Sequence, residues 1–148
     1  MVSQKCQYAI RATFELAKRN GQGSVKIGEV AEAQAIPVRF LEVILNQLKQ
    51  GGFVQSRRGA GGGYHLVRPP EKIKVGDIIQ FVEGPLVPVS CMTGNDMSQC
   101  SLHGNCVFIG LWKRVAEAAS EIYDQTSFQD LINEEMAMRQ ASAISYSI

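Results

Sequence analysis

Residues 37–67 read PVRFLEVILNQLKQGGFVQSRRGAGGGYHLV, and this stretch decides the fold. In its first half Leu41, Ile44, Leu45 and Leu48 recur at three- and four-residue spacing, the signature of a helix that buries one stripe. At 100° per residue Arg39, Val43, Asn46 and Gln50 fall on the opposite, outward face. Gly51-Gly52 ends the helix, because glycine accepts the left-handed conformation of a C-cap. The β-prone runs Phe53-Val54-Gln55-Ser56 and Tyr64-His65-Leu66-Val67 then flank Arg57-Arg58-Gly59-Ala60-Gly61-Gly62-Gly63, which predicts a hairpin with a glycine-rich tip. Bare backbone there can approach a phosphate or enter a minor groove, while two guanidinium forks grip phosphate oxygens. A nucleotide-binding P-loop is the competing reading. It would end in Lys-Ser/Thr and lead into a helix, whereas this segment leads into a strand.

Upstream, Ala9, Ile10, Thr13, Leu16 and Ala17 mark an amphipathic helix over Gln4 to Arg19, stopped by Asn20-Gly21. A second helix spans Lys26 to Gln34 with Ile27, Val30 and Ala31 on one face, and Ala35-Ile36-Pro37 breaks the chain before the helix already described. Helix, tight turn and helix followed by an arginine-tipped hairpin is the skeleton of a winged helix-turn-helix. The predicted fold class is therefore mainly α with a small β wing, with a long dimerisation helix added downstream. The second reader helix is expected in a major groove of double-stranded DNA, with Arg39 and Asn46 reading bases and Lys49 on a phosphate. Arg57 and Arg58 would position the wing.

Charge supports this division. The chain has 148 residues, 45% hydrophobic and 20% charged, with a net charge of +1, which excludes collagen-like, mucin-like or wholly disordered proteins and a large multidomain enzyme. Residues 1–70 nevertheless carry ten basic and four acidic side chains, and the remainder five basic and ten acidic. A basic half joined to an acidic half suits a nucleic-acid reader with a separate regulatory part. No stretch approaches about 18 apolar residues, and the N-terminus lacks the apolar run of a secretory signal. A soluble, cytoplasmic protein without a membrane partner is expected. With only His65 and His103 as histidines, and no standout carboxylate pair, an enzyme acting on a small-molecule substrate is not expected.

Beyond a short helix read over Asp77 to Glu83 and ended by Gly84-Pro85, residues 85–106 lose apolar periodicity and hold Cys91, Cys100 and Cys106 in a C-x8-C-x5-C pattern. A loop of this length inside a small domain is functional or disordered. Three chemistries fit three cytosolic thiols: an iron–sulfur cluster, which accepts wide and irregular spacing; structural zinc, whose knuckles prefer closer pairs; and metal-free redox thiols. A four-ligand centre would need one more donor, for which His103, Cys6 and Asp96 are candidates. From Val107 the helical period returns with Phe108, Leu111, Val115, Ala118 and Ile122 at spacings of 3, 4, 3 and 4, a short heptad seam suited to dimerisation. Ser127-x-x-Asp130 resembles a capping box for a last helix to about Arg139, and the Ser/Ala-rich tail is expected to be disordered.

Taken together, Lys5-x-x-Tyr8-Ala9, Phe40-Leu41-Glu42, Arg58-Gly59-Ala60-Gly61-Gly62-Gly63-Tyr64, Val75-Gly76-Asp77-Ile78-Ile79 and Glu83-Gly84-Pro85 resemble the Rrf2 family of bacterial transcription regulators. The resemblance spans roughly residues 1–135. It implies a homodimeric winged-helix regulator, with Lys5, Gly59 and Tyr64 added to the DNA-binding set. In cluster-bearing members three loop cysteines hold a [2Fe–2S] or [4Fe–4S] centre, and Cys91, Cys100 and Cys106 occupy those positions. Two departures stand out. The first cysteine gap is wider, with Ile109 where a histidine would follow the third cysteine, and Arg39, Phe40 and Val43 alter the reader helix. The organisation expected is a DNA-binding domain over 1–84, a sensor loop over 85–106, dimerisation and C-terminal helices over 107–140 and a tail over 141–148. The function expected is a repressor whose DNA affinity follows an iron–sulfur cluster that senses iron, redox or nitric oxide status. The alternative is a metal-free thiol-redox or zinc-stabilised repressor of the same fold.

Overall fold

Ser3 opens the first helix by accepting the Cys6 backbone N–H on its hydroxyl at 3.2 Å, satisfying one of the orphan donors of a helix start. The helix, α1, runs Gln4–Lys18 and buries Cys6, Ala9, Ala12, Thr13, Leu16 and Ala17. A computed structural model of the chain describes residues 2–94 and 100–147. The second helix, α2 (Ile27–Gln34), is started by Glu29, whose carboxylate accepts the Lys26 backbone N–H at 3.0 Å. It ends at Ala35, which takes the left-handed conformation (φ 50°) while the Ile36 N–H donates to the Ala31 carbonyl. Arg11 of α1 donates to the Gln34 carbonyl and so braces this turn.

The third helix, α3 (Val38–Gln50), buries Leu41, Ile44, Leu45 and Leu48, the stripe expected from the sequence. Strands β1 (Val54–Arg57) and β2 (Gly63–Leu66) pair antiparallel, with Val54 opposite Leu66 and Arg57 opposite Gly63. Val25 adds a further rung, since its N–H and carbonyl both bond the Tyr64 backbone at 2.8 Å. The hairpin is thereby stitched to the segment that leads into α2.

Helix α4 spans Val75–Glu83 and begins two residues before the expected Asp77. The reason is local: Asp77 occupies the third helical position, where its carboxylate accepts the Lys74 backbone N–H at 2.8 Å. The cysteine segment follows, with one 3-10 turn at Ser90–Thr93. The chain re-enters helix at α5 (Ile109–Gln125), none of whose residues is buried in a single chain.

The predicted capping box forms. Ser127 N–H donates to the Asp130 carboxylate at 2.8 Å, and Asp130 N–H donates to the Ser127 hydroxyl at 3.0 Å. Helix α6 then runs Phe128–Ser147. Residues 141–147 therefore correct the expectation of a disordered tail: they continue the helix, because Ala137, Ala141 and Ala143 favour helix and no glycine or proline interrupts them.

One core unites these elements. Leu16, Leu41, Leu45, Leu48, Ile73, Ile78 and Phe128 are all fully buried in it. Phe128, at the start of α6, reaches this core from far along the chain. Its N–H donates to the Ile73 carbonyl, and the Val75 N–H donates to Thr126.

Candidate nucleic-acid interface and cysteine loop

The outward face of α3 is built by exclusion: with Leu41, Ile44, Leu45 and Leu48 inward, Arg39, Val43, Asn46 and Gln50 are exposed in a row. The Arg39 guanidinium lies 4.8 Å from the centre of the Phe40 ring, which holds it over an aromatic face. Lys49, in the last turn, donates to the Ser56 hydroxyl of β1 at 2.8 Å and so ties the helix to the hairpin. Lys5 is exposed on the first turn of α1, where it borders an apolar hollow also lined by Tyr8, Phe40 and Val43.

At the hairpin Arg57, Arg58 and Gly59 are all exposed. The tip closes through a Gly62 N–H to Gly59 carbonyl bond of 3.0 Å. Two of its glycines are required by space: a Cβ on Gly62 would lie 2.3 Å from the Arg57 carbonyl oxygen, and one on Gly63 (φ 147°) 2.3 Å from that of Val25. Tyr64 is half-buried against the core, with its backbone in the Val25 rung. Among the described residues Lys5, Arg39, Arg57 and Arg58 take part in no ion pair, so their charge faces outward uncompensated.

Cys91, Cys100 and Cys106 line one hollow of about 250 Å³, together with Leu102, His103, Gly104 and Ile109. Turns bring them there: His103 N–H donates to the Cys100 carbonyl, Asn105 N–H to Leu102, and Ile109 N–H to Cys106. The last of these bonds joins the third cysteine to the first residue of α5. Each thiol is half-exposed. Among the described residues no three His, Cys, Asp or Glu side chains are gathered as ligands of a single ion. The donor set does suit a larger thiolate-bound group, since three thiols and an imidazole surround a hollow of mostly apolar lining.

Of the further ligand candidates, His103 lines the hollow and Asp96 lies outside the described residues. Cys6 is corrected: it is a core residue of α1 with no exposed surface. Burial pushes its thiol up to about 11, and the charge of Glu83 adds to the shift. A protonated, sealed thiol is a poor metal ligand.

Phe108, Leu111, Val115 and Ile122 are 45–65% exposed along one side of α5, with Ala118 exposed among them. The opposite side rests on α4, where the absence of a Cβ on Gly76 admits the Asp124 carboxylate. A cavity of about 590 Å³ lies between the start of α1 (Val2, Gln7), Leu86-Val87-Pro88 and α5. Sequence reasoning missed this hollow, since residues 86–88 carry no periodicity. No helix among the described residues is long and apolar enough to cross a membrane.

A helix-turn-helix with a hairpin wing, extended by two further helices, is a fold this chain shares with known regulators. The model of the Rrf2 family, described as iron-dependent transcriptional regulator, matches residues 2–134. The chain belongs to the Rrf2 family. It is a DNA-binding regulator of transcription, a non-enzymatic role. The regulator CymR of Bacillus subtilis is 33% identical over 130 residues, which cover 88% of each chain. The structure of CymR, described as the global cysteine regulator of B. subtilis, matches with a TM-score of 0.74 at 32% identity, over 90% of this chain and 97% of that one. The structure of T. potens IscR matches with a TM-score of 0.71 at 33% identity, over 91% and 88% of the two chains.

Proposed function

We propose that this Rrf2-family protein is a homodimeric repressor whose affinity for double-stranded DNA is set by an iron–sulfur cluster at the cysteine loop. The observation that carries this reading is that the three cysteines of the loop, nine and six positions apart, share one hollow beside the first residue of α5. Cys91, Cys100 and Cys106 would hold the cluster as thiolates, with His103 the described residue best placed to add a ligand. The cluster would supply sensitivity to iron supply, oxidants and nitric oxide. Lys5, Arg39, Asn46, Lys49, Arg57, Arg58, Gly59 and Tyr64 would form the DNA-contacting set, and Phe108, Leu111, Val115, Ala118 and Ile122 the seam between protomers.

Coupling follows from what the chain's own residues join. Cys106 is hydrogen-bonded through its carbonyl to Ile109, so the position of the loop bears on the first turn of the seam helix. A change of subunit spacing there shifts the two reader helices out of register with successive major grooves. A differential binding of about 1–3 kcal/mol between loop states changes occupancy roughly 5- to 150-fold.

The test is anaerobic purification with a visible spectrum and iron and sulfide analysis, on the wild type and on Cys100→Ala, followed by DNA affinity of loaded and cluster-free protein at fixed salt. A coloured protein with stoichiometric iron and sulfide, lost in the variant, and unequal affinities are expected. A colourless, iron-free protein overturns the cluster. It leaves a zinc-stabilised or a metal-free thiol-redox repressor, the second favoured by the likeness to a protein described as a global cysteine regulator.

A further inference from the structure

The exposed face of α3 contains an anomaly for a surface that meets a polyanion. Val43 is 55% exposed at its centre, with Arg39 one turn before it and Asn46 and Gln50 after it. An exposed Val alone is unremarkable on a protein surface, but this one sits in the row of side chains that the fold turns outward, between Arg39 and Asn46. Lys5 lines the same hollow as Val43, and Arg39 stands one turn before it. Asn46 has the amide donor and acceptor that pair bidentately with an adenine edge, and Arg39 the two parallel donors that pair with a guanine edge, in the major groove. Between two such readers, an apolar side chain has one complementary feature to meet in that groove, the methyl at C5 of a pyrimidine.

We infer that Val43 is a specificity-determining residue that recognises a pyrimidine C5-methyl group in the operator. The methyl comes from thymine or from 5-methylcytosine. Arg39 and Asn46 hydrogen-bond the flanking bases, while Val43 desolvates the methyl between them. Phe40 acts differently: its ring sits under the Arg39 guanidinium and walls the hollow shared with Tyr8, so it positions the arginine. The inference rests on the DNA-binding reading and is independent of what the cysteine loop holds.

The experiment uses the full-length chain, purified anaerobically, to select duplexes from a random pool. Each thymine of the enriched site is then replaced in turn by uracil, which removes only the methyl, and binding is read by fluorescence anisotropy at fixed salt. At one position per half-site the replacement is expected to weaken binding about fourfold, the value of one methyl withdrawn from water. In Val43→Ala the thymine and uracil duplexes bind equally, and the unchanged far-ultraviolet circular dichroism of this surface variant shows that the fold is intact. Placing cytosine and then 5-methylcytosine at that position separates the two sources: a gain on methylation assigns recognition to the methyl of either base, and a gain confined to thymine assigns it to thymine. Equal binding of thymine and uracil duplexes by the wild type overturns the inference and leaves the regulator standing. A uracil penalty that persists in Val43→Ala overturns the assignment to this residue. Failure to enrich any duplex, with the protein as purified and again after its iron is removed, overturns the DNA-binding reading and this inference with it.

Discussion

Substituting Ile122 by Ala tests the seam where the structure is most specific. Ile122 is 65% exposed in the single chain. Burying a whole isoleucine side chain is worth about 1.5–3 kcal/mol, so the fraction still open to water represents about 1–2 kcal/mol per protomer. A two-fold interface counts every substitution twice, giving about 2–4 kcal/mol per dimer. That energy corresponds to a dissociation constant roughly 30- to 900-fold weaker. The assay is sedimentation equilibrium or light scattering across a dilution series, with the wild type and Ile122→Ala side by side. Because Ile122 makes little contact within its own chain, the variant should keep its helical content, and its melting temperature should become more dependent on concentration. A dissociation constant unchanged within about threefold, over a range where the wild type does dissociate, would refute the assignment of this face to the dimer.

Gly63→Ala should cost about 2–3 kcal/mol, since the new Cβ meets the Val25 carbonyl and the backbone angle disfavours any side chain; an unaltered thermal melt would contradict the close approach. Alkylation of the native protein at neutral pH, with metal removed, should modify the three loop thiols and spare Cys6 until denaturant is added. Cys6 also predicts a pH effect: its thiol ionises near 9.0 when unfolded and near 11 when folded, so the native chain keeps a proton that the unfolded chain releases. Its contribution to stability is complete below the lower value and declines between the two, a fall that Cys6→Ala should lack in urea titrations. Ser127→Ala should lower stability by about 1 kcal/mol through loss of the α6 cap, measured by urea unfolding. The Ser127 backbone N–H and then its hydroxyl hold the Asp130 carboxyl below the usual range, so the carboxylate's share of this box is complete at neutral pH and is lost as pH falls from the usual carboxylate range through the lowered value.

What could be read from the sequence was what is decided locally. The α3 stripe, the Gly51-Gly52 stop and the Ser127–Asp130 box each depend on residues within a few positions, and each stands where pattern reasoning put it. The α4 boundary slipped because an acidic residue can serve as a cap from the third helical position as well as from the N-cap. The fate of the tail turned on helix propensity against a polar, Ser-rich appearance, and alanine prevailed. Cys6 was ambiguous for a different reason: whether a small residue on an amphipathic helix is core or ligand depends on what packs over it, and here the rest of the core closes around it. The Val25–Tyr64 rung joins segments far apart in sequence and has no local signal. The angular position of Val43 on the outward face was legible in the sequence, and the structure leaves it exposed there.

The return of the chain at Phe128 makes the cysteine segment and α5 a tethered handle rather than an appended arm. The handle leaves the DNA-binding body at the end of α4 and is fastened again to the start of that same helix, through the bonds of Thr126 to Val75 and of Phe128 to Ile73. A nick between Cys91 and Cys106 would therefore not free the distal piece: two fragments would stay plugged together by Phe128, and would come apart only when the whole core melts. The cysteine segment can thus be rearranged, or even severed, while the helix-turn-helix and its hairpin remain one folded object.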